Sequence, residues 1–196
     1  HTDNRRQRQM CIRDSSRTIL SEPLFKVGAG SQAIVEIHNS QFSDAGSGCI
    51  EAYQSQSEII ISNTEFYRCD GPAIWARQTN LQLENITIGS ETSTGLDLIQ
   101  PDGYLNGLNA LLFDGEGNII RIDNENGQFP ISNVIGKTGQ SAGISGQNNR
   151  ALNLDFIEIH GSPAIDFDES AGTLSNLRLY GLSLIHISEP TRRKHI

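Results

Sequence analysis

Asparagine returns along this chain at a near-constant step, each time behind the same apolar pattern. The series runs Asn39, Asn63, Asn85, Asn109, Asn133, then Asp155 in the same slot, then Asn176, with steps of 24, 22, 24, 24, 22 and 21 residues. A self-similar period in the low twenties marks a solenoid, in which each repeat is one coil stacked on the last. Such a repeat constrains the architecture and leaves function to an outer face. It names no reaction.

Aligned on that slot, the residues four and two places earlier are mostly apolar: Val35 and Ile37, Ile59 and Ile61, Leu81 and Leu83, Leu105 and Gly107, Phe129 and Ile131. Three places later come Phe42, Phe66, Ile88 and Leu112. Eleven places later come Ile50, Ile74, Leu96, Ile120 and Ile144, and thirteen places later Ala52, Ala76, Leu98, Ile122 and Gly146. Alternation with period two is a strand with one face buried. The expected coil is therefore a set of short strands joined by bends, with like phases stacked into inner columns. One coil cannot bury its inner face alone, but a stack can. The asparagine fits a bend, because Asn tolerates left-handed backbone and bonds nearby peptide groups. That position also accounts better than glycosylation for Asn85-Ile86-Thr87, which has the form of a sequon.

The segments Ile-His-Asn-Ser-Gln-Phe at 37–42 and Ile-Ser-Asn-Thr-Glu-Phe at 61–66, with Gly-Pro-Ala-Ile at 71–74, resemble the right-handed parallel β-helix (pectin-lyase-like) superfamily. Weaker echoes stand at 161–165 and 175–179. The resemblance implies an all-β, right-handed parallel β-helix of about six or seven coils of 21–24 residues. It also implies an extracellular or cell-surface protein: an adhesin-like scaffold or recognition surface contacting glycans, or a polysaccharide lyase, hydrolase or epimerase; a purely structural spacer is the third reading.

Both ends read differently. Met10–Asp14 and Leu182–Ile187 can be encoded by one short DNA element in opposite orientations, and residues 5–15 and 182–192 resemble translated sequencing-adapter sequence. The expected division is 1–15 and 182–196 as non-native flanks around a β-helix segment at 16–181, an internal piece without native caps. The flanks hold 7 of the 15 basic and 3 of the 23 acidic residues, which leaves 8 against 20 and a net charge of −12 for 16–181. An acidic segment without a basic cluster argues against nucleic acid as a partner. No apolar run reaches the ~18 residues of a membrane span. Of three cysteines, Cys49 and Cys69 lie outside the flanks. They sit at different phases of neighbouring repeats, so two buried thiols are expected there rather than a disulfide.

On the second strand of each coil, the residue between two inward positions must point out. That column reads Glu51, Trp75, Asp97, Arg121, Ser145 and Asp166; the next reads Tyr53, Arg77, Ile99, Asp123, Gln147 and Asp168. Aromatic faces stack on sugar rings, and Arg and Asp bond hydroxyls or carboxylates. Tyr53, Trp75, Arg77, Asp97, Arg121 and Asp123 are therefore the candidate glycan-binding residues. No pair of carboxylates stands out as a catalytic acid and base. No cofactor motif is present. The oxygen spacing of Asp114-Gly115-Glu116-Gly117-Asn118 admits calcium, but Ile119 occupies a slot where calcium loops need glycine, and a bend explains the segment better. His38 and His160 lack partners at zinc spacing.

Overall fold

The computed structural model describes residues 22–28, 30, 33–54, 57–112, 117–125, 127–139, 141–181 and 186–187. Within them the chain forms parallel strands and no helix. The first sheet contains β1 (Phe25–Val27), β4 (Ile50–Tyr53), β6 (Pro72–Arg77), β8 (Thr94–Ile99), β10 (Ile120–Asp123), β12 (Ile144–Gln147), β14 (Ile165–Asp168) and β16 (His186–Ile187), paired in that order. The second contains β2 (Ile34–His38) and β3 (Gln41–Ala45), both on β5 (Glu58–Cys69), then β7 (Asn80–Ile88), β9 (Asp102–Leu112), β11 (Phe129–Thr138), β13 (Leu152–His160) and β15 (Gly172–Tyr180). The chain alternates between the sheets, and each strand pairs with the one a coil away. This is the stacked parallel solenoid that the period predicts.

The core lies between the sheets in continuous columns. Ile50, Ile74, Leu96, Ile120, Ile144 and Ile165 are in register and fully buried. On the second sheet, Ile59, Leu83 and Ile131 lie among the buried residues before the bend, and Phe66, Ile88 and Val134 among those after it. Phe42 and Phe66 stack with centroids 5.4 Å apart. Along the Ile50–Ile165 column each side chain meets a like neighbour one strand spacing, about 4.8 Å, away.

The second-sheet arm of each coil bends at a left-handed residue. Asn39, Asn63, Asn85, Gly107, Asn133, Phe156 and Asn176 all have φ between 48° and 87°. A left-handed residue breaks the strict alternation, so both arms of the strand turn apolar residues inward. Two assignments therefore change. The bend of β9 is Gly107, not Asn109, which instead pairs with Thr87 and Ile135 on the outer face. Counting eleven residues back from Ile120 lands on Asn109, but this coil carries two more residues between its bend and Ile120. In β13 the bend is Phe156, and Asp155 precedes it. The amide chain continues through that preceding residue. Asn85 Nδ2 donates to Asn63 Oδ1 at 3.2 Å, whereas Asn133 Nδ2 donates to Asn106 Oδ1 and Asn176 Nδ2 to Asp155 Oδ1, both at 2.7 Å. Where the bend residue lacks an acceptor side chain, its neighbour supplies one.

The cysteine expectation is overturned. Cys49 and Cys69 form a disulfide with Cα atoms 5.6 Å apart, and both are fully buried. Their different phases do not separate them, because the bond crosses a corner instead of following a column. Cys49 stands just before β4 in one coil, and Cys69 ends β5 in the next. Their surroundings stack there: Asp70 N donates to Ala45 O, and Cys49 N to Pro72 O.

Candidate functional site

The first sheet presents its outward residues as two parallel files. Registers place Lys26, Glu51, Trp75, Asp97, Arg121, Ser145 and Asp166 in one file. Tyr53, Arg77, Ile99 and Asp123 are paired in the other. All six candidate binding residues thus share one face across four successive strands. Lys26, which begins the first file, was missed in the sequence because β1 precedes the clean repeats.

Trp75 is half-buried, with its flanking residues Ile74 and Ala76 in the core. Its ring lies 6.3 Å from that of Tyr53, tilted by 50°. Lys26 Nζ stands 5.3 Å over the Tyr53 ring and 3.3 Å from Glu51 Oε1. Tyr53 is therefore engaged from within the fold. On the other side of Trp75, Arg121 reaches Asp123 Oδ2 at 3.1 Å and comes within 3.9 Å of Asp97 Oδ1. Asp123 Oδ1 accepts from Gln147 N at 2.8 Å. Arg77 is exposed and forms no ion pair among the described residues.

Asp97 is the unusual member. Its side chain is 17% exposed, and its Oδ1 is out of water with no hydrogen-bond partner. An acceptor left in that state costs about 1–3 kcal/mol. Burial pushes its carboxyl above the ordinary value of 3.8; Arg121 opposes the rise and Asp123 adds to it. Chemically the group is a carboxylate short of a donor, beside an aromatic ring. The depression lined by Ile122, Asn124, Gly127, Phe129, Asn149, Ala151 and Leu152 contains no residue of these files.

A second set of left-handed residues follows the first sheet: Gln54, Gln78, Gln100, Asn148 and Glu169. Gln78 Nε2 donates to Gln100 Oε1 at 2.9 Å. Behind them a buried polar column ties the corner, with Asn124 Nδ2 donating to Pro101 O and Asn149 Nδ2 to Ile122 O. This bend went unread, although its glutamines recur with the same period as the asparagines.

A family model described as right handed beta helix region matches residues 27–179. The chain belongs to the right-handed β-helix family. No curated protein and no solved structure matches it. Elsewhere on this β-helix, His38 Nδ1 lies 2.7 Å from Ser62 Oγ, and His160 stacks on Tyr180 at 4.3 Å. Among the described residues no three His, Cys, Asp or Glu side chains form a metal set. Asp114, Gly115 and Glu116 lie outside the described residues, and Asn118 Nδ2 donates to Ser145 Oγ at 2.6 Å. No helix among the described residues is long and apolar enough to cross a membrane.

Proposed function

We propose that this β-helix is a segment of an extracellular or cell-surface protein, and that its first-sheet face recognises glycans without cleaving them. The observation that carries the reading is Trp75. It is the one tryptophan of the chain. It stands outward between Glu51 and Asp97, with Arg77 two residues along the same strand. An aromatic ring among polar groups on a flat sheet suits a sugar, whose ring has apolar faces and a hydroxyl rim. The Cys49–Cys69 disulfide supports an oxidising compartment, since such bonds persist mainly in secreted and surface proteins.

A second reading draws on Asp97: a slice of a polysaccharide lyase, hydrolase or epimerase, using its raised carboxyl beside Arg121. Recognition is the preferred reading because no pair of carboxylates stands out as a catalytic acid and base. Tryptophan emission separates these readings from a structural spacer. Titration with oligosaccharides should shift Trp75 emission, and Trp75→Ala should abolish binding measured by calorimetry. Release of shorter sugars from the titrated mixture would favour the enzyme. An emission spectrum indifferent to every glycan would leave the spacer.

A further inference from the structure

Resting on the reading that the first-sheet face binds a glycan, we infer that its ligand is an uncharged, hydroxyl-rich glycan rather than a polyuronate, with one sugar ring on Trp75 and a hydroxyl donating to the exposed edge of the Asp97 carboxylate. Trp75 and Asp97 are direct partners in adjacent parallel strands, so their side chains are neighbours on one face. Asp97 Oδ1 is buried toward Arg121, but the side chain keeps 17% of its surface, and no described residue hydrogen-bonds its carboxylate. A sugar hydroxyl can donate to that exposed edge; acidic sugars carry hydroxyls too, so the choice between the classes rests on charge. The ring and the acceptor together fit a molecule with an apolar face edged by O–H groups.

The cations of the face are already committed. Lys26 is tied to Glu51, and Arg121 to Asp123 with Asp97 beside it. Only Arg77 of these basic residues lacks an ion pair among the described residues. Against it, Glu51, Asp97 and Asp123 line the same face, and Asp166 and Asp168 extend it. A polyuronate would have to displace existing pairs and lie along like charge, which costs affinity. Lys26 lies over Tyr53, which leaves Trp75 as the ring in register with Asp97.

The experiment compares neutral β-linked hexasaccharides of glucose, xylose and mannose with oligogalacturonate of equal length, on the full chain, by calorimetry and Trp75 emission. At least one neutral series should bind and the oligogalacturonate should not. Asp97→Asn, which keeps the shape but removes the charge, should weaken neutral binding about tenfold, because charge-assisted bonds are the stronger class. Circular dichroism confirms that this variant keeps the fold, and the wild-type comparison does not depend on it. Binding of oligogalacturonate with silence from every neutral sugar overturns the inference and leaves glycan recognition standing. Silence from both classes overturns glycan recognition itself. Neutral binding untouched by Asp97→Asn overturns the role given to Asp97.

Discussion

Reducing the Cys49–Cys69 bond should destabilise the β-helix by about 3 kcal/mol. The bond closes a loop with a sequence separation of 20. The chain-entropy relation for a loop of that length gives about 11 cal/mol/K, or about 3 kcal/mol at 25 °C. Both sulfurs are fully buried, so reductant reaches them only in an opened chain. The protein is therefore unfolded in urea with reductant, refolded, and compared with the oxidised form. With a urea dependence of roughly 2 kcal/mol per molar, the midpoint should fall by about 1–2 M. The double variant Cys49→Ala with Cys69→Ala should fall further, because it also leaves a small void where the sulfurs packed. Cross-linking two adjacent coils should slow local opening there more than at β13 and β15, since a solenoid's stability is a sum over neighbours. Hydrogen exchange resolves that difference. If reduction is complete by mass and the midpoint does not move, the bond adds nothing to the stack and the entropic account fails.

Other perturbations address the bends, the charges and the ends. Asn63 is exposed and left-handed, and its Oδ1 accepts from the Asn85 side chain. Asn63→Ala should cost about 1–2 kcal/mol from backbone strain, and Asn63→Gly should cost less; the reverse order in urea melts would refute a backbone origin. Bonds from Ser175 and Asn176 hold the Asp155 carboxyl below 3.8, so its stabilisation is present above that pH and lost as pH falls through the folded value. Asp97 has the opposite sign: its raised carboxyl makes the folded state hold more protons, so its contribution falls as pH rises from 3.8 through the folded value. Melts of Asp97→Asn should therefore gain on wild type near neutral pH and not below 3.8, whereas Asp155→Asn should lose near neutral pH. Deleting 1–15 and 182–196 should leave stability within about 1 kcal/mol by thermal melting, although His186–Ile187 pairs with β14; collapse would show the flanks to be part of the fold.

The inner columns were legible because they are dictated by water: an alternating pattern has one way to bury itself, and its repeat fixes the stacking. The outer files followed, since outward phase is inward phase moved by one residue. What escaped was set by backbone conformation and corner length. Asn109 has the residue type of a bend and Gly107 does the bending, because extra residues before Ile120 shift the count. Phe156 is a poor bend residue by type, yet Asp155 beside it supplies the acceptor that Asn176 needs. The disulfide was missed because the solenoid picture compares like phases, while a corner joins unlike ones. The outward phase already set Asp97 between Trp75 and Arg121, but not the burial of its carboxyl. Its buried oxygen has no signature in composition or spacing.

The uneven coils carry a consequence for how such a chain can diversify. From its left-handed bend to the first inward residue of the next first-sheet strand, the chain takes 11 residues in β5, 13 in β9 and 9 in β13, read from Asn63 to Ile74, Gly107 to Ile120 and Phe156 to Ile165. Strand register is unbroken across all three coils. Length changes are absorbed at the corners, so a peptide grafted there should leave every column in place. Each coil then acts as a shelf of fixed height, and guests on successive shelves would be held at multiples of one strand spacing.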